Sequence, residues 1–393
     1  MHRENHESKS KDNFHQLFEI MNQNTQRKRQ KREWYHRNKE AVLEQQKNKF
    51  GKKADGTYAG ALSNNGEKLI LRDAVGGRMD EVSYEVGFPW PTTPNGEGPS
   101  MQLLHPHLDN DLGGSWRPSA PTPGARNSIY TETPPPQVRQ VGHKPEQPAS
   151  NQSVTITAKI TGVAEITEVS IVYQFVEPGD YIATDDARYA TSWTSLPMRD
   201  DGKSGDVEAG DSIYTAVLPA EVSAHRRLVR YRITAKDAKG ATVTTPMADD
   251  PQPNFAFFCY DGVPPWQGSI RPGRVSVVTY TKELLESLPV YHLITTRKAH
   301  VDSQYIPNSS TGKYGGSEYR WKGALVYDGE VYDHIRFRAR GGVWRYAMGK
   351  NMWKFDFNRG HGFQARDDYG KKYNTRWDKL NFSAIIQQGN FRH

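Results

Sequence analysis

The chain has 393 residues, long enough for two or three domains. Hydrophobic residues make up 35% and charged residues 25%, with 34 Gly, 24 Pro, 9 Trp, 20 Tyr and 14 Phe; this suits several β-rich modules joined by polar segments better than one helical bundle. The net charge of +7 resides in residues 27–53, which hold eleven Lys/Arg against three Glu, while residues 54–393 balance to zero, so the totals exclude a nucleic-acid-binding surface spread over the whole chain.

Residues 1–53 read as a basic, polar leader without a core of its own. Arg27–Arg32 is its basic cluster, and a helix is predicted over Trp34–Phe50 with Val42 and Leu43 as its small apolar contribution. No apolar run there resembles a signal sequence, and no stretch of the chain is long and apolar enough to span a bilayer. Residues 54–128 change character. Tyr58–Leu62, Lys68–Asp73 and Asp80–Tyr84 read as short strands, separated by turns at Asn64-Asn65-Gly66 and Gly76-Gly77. Asp109, Asn110 and Asp111 read as turn-forming residues rather than ligands, because a calcium loop needs more carboxylates at fixed spacing. Residues 129–150, with Pro134-Pro135-Pro136, Pro145 and Pro148, read as an extended linker.

Residues 151–260 alternate with period two. Val154, Ile156, Ala158 and Ile160 share one face of a strand, as do Val169, Ile171, Tyr173 and Phe175; further strands are predicted at Tyr214–Leu218, Leu228–Ala235 and Phe255–Phe258. Regularly spaced strands of this kind predict a β-sandwich. Asp200, Asp201, Asp206 and Asp211 lie among glycines between two strands, and two roles are open to them: calcium ligation by hard oxygens, or closure of a compact turn. Cys259 is the only cysteine, so no intrachain disulfide forms; its phenylalanine neighbours predict a buried thiol. The absence of disulfides suits a reducing compartment or a bacterial source.

In residues 261–393, Tyr291–Ile294 and Arg320–Tyr327 are predicted strands, and a short helix is predicted over Lys282–Ser287. Two alternating runs then flank a loop. In the first, Ile335 and Phe337 oppose His334, Arg336 and Arg338; in the second, Trp353, Phe355 and Phe357 oppose Lys354, Asp356 and Asn358. Arg338, Arg340, Gly341, Lys350 and Lys354 together form a candidate phosphate cradle, since guanidinium and ammonium groups stabilise charge on phosphate oxygens. Trp321, Trp344 and Trp353 raise carbohydrate stacking as an alternative, with Trp353 assigned to the core by its alternation.

Three stretches resemble known families. YAGALSNNGEKLILRDAVGGRMDEVSYE followed by DNDLGGSW and TPGARN resembles the C-terminal half of a bacterial lamin-tail domain, which implies an immunoglobulin-like sandwich, here without the family's upstream strands. RDDGKSGDVEAGDSIYTAVL is similar to a turn system of Ig-like modules in bacterial surface proteins. PVYHLI, ALVYDGEVYDHIRFRARGG, GKNMWKFDF and WDKLNF, in that order, resemble the spore-coat CotH kinase-like family. The implied architecture is mainly β: a partial lamin-tail module over 54–128, an Ig- or fibronectin-like sandwich over 151–260, and the N-terminal part of an α+β atypical kinase-like module over 261–393. The last resemblance implies ATP and magnesium as cofactors, Lys354 or Lys350 as the phosphate-contacting lysine, phosphoryl transfer to Ser or Thr of a protein partner, and a location at the cell surface or outside it. The family's catalytic and metal-binding aspartates lie further downstream than His393, so the expectation is a piece of a larger protein without phosphotransferase activity of its own. A surface scaffold or adhesion protein is the non-enzymatic alternative.

Overall fold

The structure, a computed structural model, describes residues 62–96, 98–269, 271–304, 319–340 and 352–383. The basic leader, most of the Tyr58–Leu62 strand, Gly341, Trp344 and Lys350 lie outside the described residues. The chain divides into two compact units. The first comprises Met1–Ala61 with Thr122–Arg126; its described part is a turn in which Ala125 N–H donates to the Thr122 carbonyl at 3.1 Å, with Gly124 at φ +69°. The second comprises Leu62–Pro121 with Asn127–His393.

The second unit is mainly β and antiparallel. It starts with two hairpins, β1 (Glu67–Arg72) with β2 (Arg78–Tyr84) and β3 (Ser100–Leu103) with β4 (Trp116–Ser119). Asp73 closes the first hairpin by accepting from the N–H groups of Val75 and Gly77 at 3.0 and 2.7 Å. Asp109 does the same for Asp111 N–H at 3.0 Å, the turn role predicted for it.

A sandwich-like pair of sheets follows. Its strands are β5 (Gln137–Lys144), β6 (Val154–Thr161), β7 (Ile166–Val176), β8 (Thr194–Pro197), β9 (Ile213–Leu218), β10 (Leu228–Asp237), β11 (Thr242–Thr245) and β12 (Phe255–Phe258), with helix α1 (Ala187–Thr191) before β8. One sheet has the order β5-β6-β9; the other has β11-β10-β7-β8, with β12 also paired to β10. Val154, Ile156, Ala158 and Ile160 fill the space between them against Ile171, Val229, Tyr231, Ile233 and Phe257. Burying alternate apolar side chains from two facing sheets is what makes this arrangement stable. Cys259 lies in the same core, and burial raises its thiol pKa.

Two expectations are corrected here. Residues 129–150 do not run entirely as a linker: β5 pairs with β6, because Val138 has a core to enter despite the flanking prolines. Phe175 does not continue the buried face of β7. It is exposed beneath the Arg227 guanidinium, 4.5 Å from its ring, whereas Gln174 and Val176 on the other face are buried.

A third layer buries that other face. After the hairpin β13 (Trp266–Gly268) with β14 (Val278–Tyr280) and helix α2 (Lys282–Glu286), the chain forms β15 (Tyr291–Ile294), helix α3 (Arg297–Gln304), β16 (Trp321–Tyr327), β17 (Glu330–Arg340), β18 (Met352–Asp356) and β19 (Lys379–Phe382). These strands make a five-stranded sheet in the order β15-β16-β17-β18-β19. Ile294, Ala324, Val326 and Val331 pack on Val176, Leu228 and Phe258. The opposite face carries Tyr332, Ile335, Phe337, Phe355, Phe357 and Phe363 in an aromatic cluster. β10 therefore sits between two cores, with Val229 and Tyr231 facing one and Leu228 the other.

Between the layers lies a fully buried ion pair. Arg230 is on β10 and Asp333 on β17; both side chains are 0% exposed. Arg230 donates from Nε to Asp333 Oδ2 at 2.7 Å and from Nη2 to Oδ1 at 3.1 Å, a forked contact, and from Nη1 to the Ile182 carbonyl at 2.7 Å. Asp333 also accepts from Tyr181 Oη at 2.7 Å and Asn254 Nδ2 at 3.0 Å. Burial opposes charge on both groups, but their mutual attraction outweighs it and holds the Asp333 carboxyl well below the usual carboxylate range.

The backbone of β17 is adapted to this contact. Gly323 on β16 faces Ile335 and Leu325 faces Tyr332, so Ala324 alone opposes both Asp333 and His334. This is a β-bulge, with His334 in the left-handed region at φ +55°. His334 joins the buried network: Asn254 turns its nitrogen to Asp333, so its oxygen accepts from His334 Nε2 at 2.8 Å and from Tyr189 Oη at 2.7 Å. The first hairpins are tied to the same region by Thr92 Oγ1, which donates to Asp250 Oδ2 at 2.7 Å, and by Gly87, whose Cα approaches Gly360 too closely for a side chain.

Removing one member of a buried pair strands the other charge, which costs about 3–5 kcal/mol. Arg230→Met and Asp333→Leu are each expected to destabilise by about that much in denaturant titrations, and the double variant by clearly less than the sum. Additive losses would show that the pair does not act as a unit. Acid should also loosen the layers. Burial lowers the His334 pKa from the usual 6.5 to about 4, with Arg230 contributing and Asp333 opposing, and His292 is lowered to about 4 by burial and by Arg226. Between 6.5 and 4 the unfolded chain binds the extra protons, so stability falls as pH falls through that window. His334→Gln is expected to flatten the slope of stability against pH between 6.5 and 4; identical slopes would contradict the assignment.

Candidate functional site

The polar face of the five-stranded sheet is set by strand register. Arg338 on β17 lies directly opposite Lys354 on β18, and Lys354 opposite Asn381 on β19. In the adjacent row Lys322, Arg336, Asp356 and Lys379 follow one another across four strands. Directly opposed residues of an antiparallel pair share a face, with Cα atoms about 4.5–5.5 Å apart. Arg340 continues this face, opposite Met352. Of the predicted cradle residues, the structure thus brings Arg338, Lys354 and Arg340 together; Gly341 and Lys350 lie outside the described residues.

The charge on this face is lopsided. Lys322, Arg336, Arg338, Arg340, Lys354 and Lys379 project from it, against one carboxylate, Asp356, in the same rows. Lys354 Nζ lies 3.0 Å from Asp356 Oδ1, and both side chains are largely covered. Asp356 Oδ2 has no hydrogen-bond partner among the described residues. At the rim Lys322 Nζ lies 2.6 Å from Asp185 Oδ2, and that hydrogen bond lowers the Asp185 pKa. Cations placed directly opposite one another destabilise a sheet. A register that keeps them together is suited chemically to an anion with several oxygens, such as a polyphosphate.

The four aspartates between β8 and β9 serve a different purpose. Asp200 accepts from Gly210 and Ser212 N–H at 2.6 and 2.9 Å. Asp201 accepts from Lys203 N–H at 3.0 Å, Asp206 from Gly202 N–H at 2.6 Å, and Asp211 from Ile213 N–H at 2.7 Å. Their oxygens are directed to turn amides, not to a common centre. Among the described residues no group of three or more His, Cys, Asp or Glu is arranged to hold a metal ion.

Trp321 and Trp353 are half-buried and pack against the aromatic cluster, so neither offers a free stacking platform. The Arg230–Asp333 network has no signature in the sequence. Its two charges are 103 residues apart, and Arg230 stands where a one-sided strand would carry a solvated residue. A scan of the chain against protein-family models finds no match, and a search of the curated proteins finds none either.

Asp200 holds two amides, and charge-assisted bonds of this kind contribute roughly 1.5–3 kcal/mol before solvent exposure reduces them. Asp200→Ala is expected to destabilise by about 1–2 kcal/mol, while millimolar calcium leaves the melting temperature of the parent protein unchanged. A calcium-dependent rise in melting temperature that Asp200→Ala abolishes would restore the metal role.

Proposed function

We propose that the five-stranded sheet is the nucleotide-facing part of a CotH-like atypical kinase module, carried on an Ig-like sandwich and a partial lamin-tail module of a bacterial surface protein. The observation that carries this reading is the like-charge pair Arg338 and Lys354, held face to face by strand register on a six-cation face. An anion bridging the two guanidinium and ammonium groups would relieve their repulsion, and the phosphates of ATP supply such oxygens. Lys354 fills the role of the strand lysine in this proposal, with Arg338 and Arg340 beside it. In the complete protein the activity would be ATP- and magnesium-dependent phosphorylation of Ser or Thr on a protein partner.

A non-enzymatic reading has its own support. The buried Arg230–Asp333 network and the apolar packing between layers fix the third sheet onto the sandwich as a rigid body would be fixed. In that reading the chain is a surface scaffold and the cations contact an acidic partner.

Calorimetric titration with ATP separates the two. On the nucleotide reading the full chain binds ATP, and Lys354→Ala weakens it by about tenfold, the loss of one charge-assisted contact. Undiminished affinity in Lys354→Ala would remove this lysine from the site, and a parent protein that binds no ATP would favour the scaffold.

A further inference from the structure

A second cationic site lies three strands away from Lys354, at the β15 edge of the sheet. A cavity of about 430 Å³ is bounded there by the Pro178-Gly179 turn, Arg226, Phe258, the strand Tyr291–Ile294 and the start of α3. Its wall carries two arginines, Arg226 and Arg297, and two histidines, His292 and His300, and no Asp or Glu. Neither guanidinium has an ion pair among the described residues. The neighbouring carboxylates are engaged elsewhere: Glu177 with Arg227 at 2.8 Å, and Asp261 with Ser150 Oγ at 2.6 Å and His225 at 3.7 Å. The cavity floor is apolar, with Phe258 2% and Ile294 7% exposed, and the His292 ring packs tilted against Phe258 and edge-on to Tyr260.

The backbone holds this arrangement at some cost. Arg226 stands in the left-handed region at φ +67°, fixed by its N–H bond to the Cys259 carbonyl at 2.7 Å. A non-glycine residue kept there places its side chain where an ordinary turn would not. Thr295 and Thr296 are already used, one donating to the Lys322 carbonyl and the other capping α3 at Ala299 N–H, so recognition falls to the cations and the ring floor.

We propose that this cavity binds a small organic anion, a carboxylate or phosphate monoester attached to a planar apolar group. The two arginines would take the head group, and Phe258, Ile294 and the His292 ring the planar part. Guanidinium matches both head groups in a forked geometry, and the cavity volume falls in the range of small-ligand sites. This site is independent of the cationic sheet face and does not depend on the kinase reading.

The test titrates the full chain with phenyl phosphate, benzoate and inorganic phosphate by calorimetry, then repeats it with Arg226→Asn, Arg297→Gln and Lys354→Ala. Asparagine tolerates the left-handed backbone, so Arg226→Asn removes the charge while keeping the turn. The expected result is that phenyl phosphate or benzoate binds, the tighter of the two identifying the head group, and more tightly than inorganic phosphate. Each arginine variant should weaken it about tenfold, while Lys354→Ala leaves it unchanged. Bound ligand should also protect Arg226 and Arg297 of the parent protein from phenylglyoxal, a readout that needs no variant to fold. Absence of binding by both aromatic anions, affinity unchanged in both arginine variants, or a loss seen only in Lys354→Ala would overturn the proposal.

Discussion

The arrangement of the described layers depends on one buried ion pair, Arg230 with Asp333. Two charges without solvent contact are costly unless every donor and acceptor is matched. Here Arg230 is matched by Asp333, Gln174 and the Ile182 carbonyl, and Asp333 by Arg230, Tyr181 and Asn254. Apolar packing alone would let the third sheet slide over the sandwich by a residue or rotate on it, with little change in buried area. The forked pair permits one position. Its contribution is therefore to specificity of the layer contact, with the apolar residues around it supplying the favourable free energy.

Much of the strand content was legible in the sequence, because alternation survives wherever one face of a strand meets a core and the other meets water. Val154–Thr161 and Met352–Asp356 are such strands, and their predicted faces are the observed ones. β10 obscures that signal, since it is covered on both sides and carries Arg230 where a one-sided strand would carry a solvated residue. β5 was hidden for another reason: its neighbours are prolines, and local composition says nothing about a partner strand that arrives later in the chain. The Asx turns at Asp73, Asp109, Asp201, Asp206 and Asp211 were readable because each is closed within four residues. The ion pair was not, because its partners are distant and neither residue type marks the other.

The candidate site was half legible. Alternation alone put Arg338 and Lys354 on polar faces of separate strands, and only the register shows that they stand opposite each other. Register is a property of pairing, fixed by the bulge and by the apolar residues on the reverse face, so it cannot be read from either strand by itself. The cavity at β15 was not legible at all. It is assembled from a turn, an edge strand and a helix start, and its meaning lies in an absence of carboxylates that appears only in space.

The bulge at His334 has a consequence for the phase of its strand. Before it, odd-numbered Val331 and Asp333 face the sandwich; after it, odd-numbered Ile335 and Phe337 face the aromatic cluster, and the even-numbered arginines take the opposite side. One residue thus switches the strand between two reading frames. If the strand instead alternated regularly through His334, then Arg336, Arg338 and Arg340 would turn into the aromatic core and Ile335 and Phe337 would be expelled. The inter-layer latch and the cationic face are consequently not separable traits of β17: the same inserted residue that brings both Asp333 and His334 into the buried network around Arg230 also decides which side of the sheet the positive charge occupies.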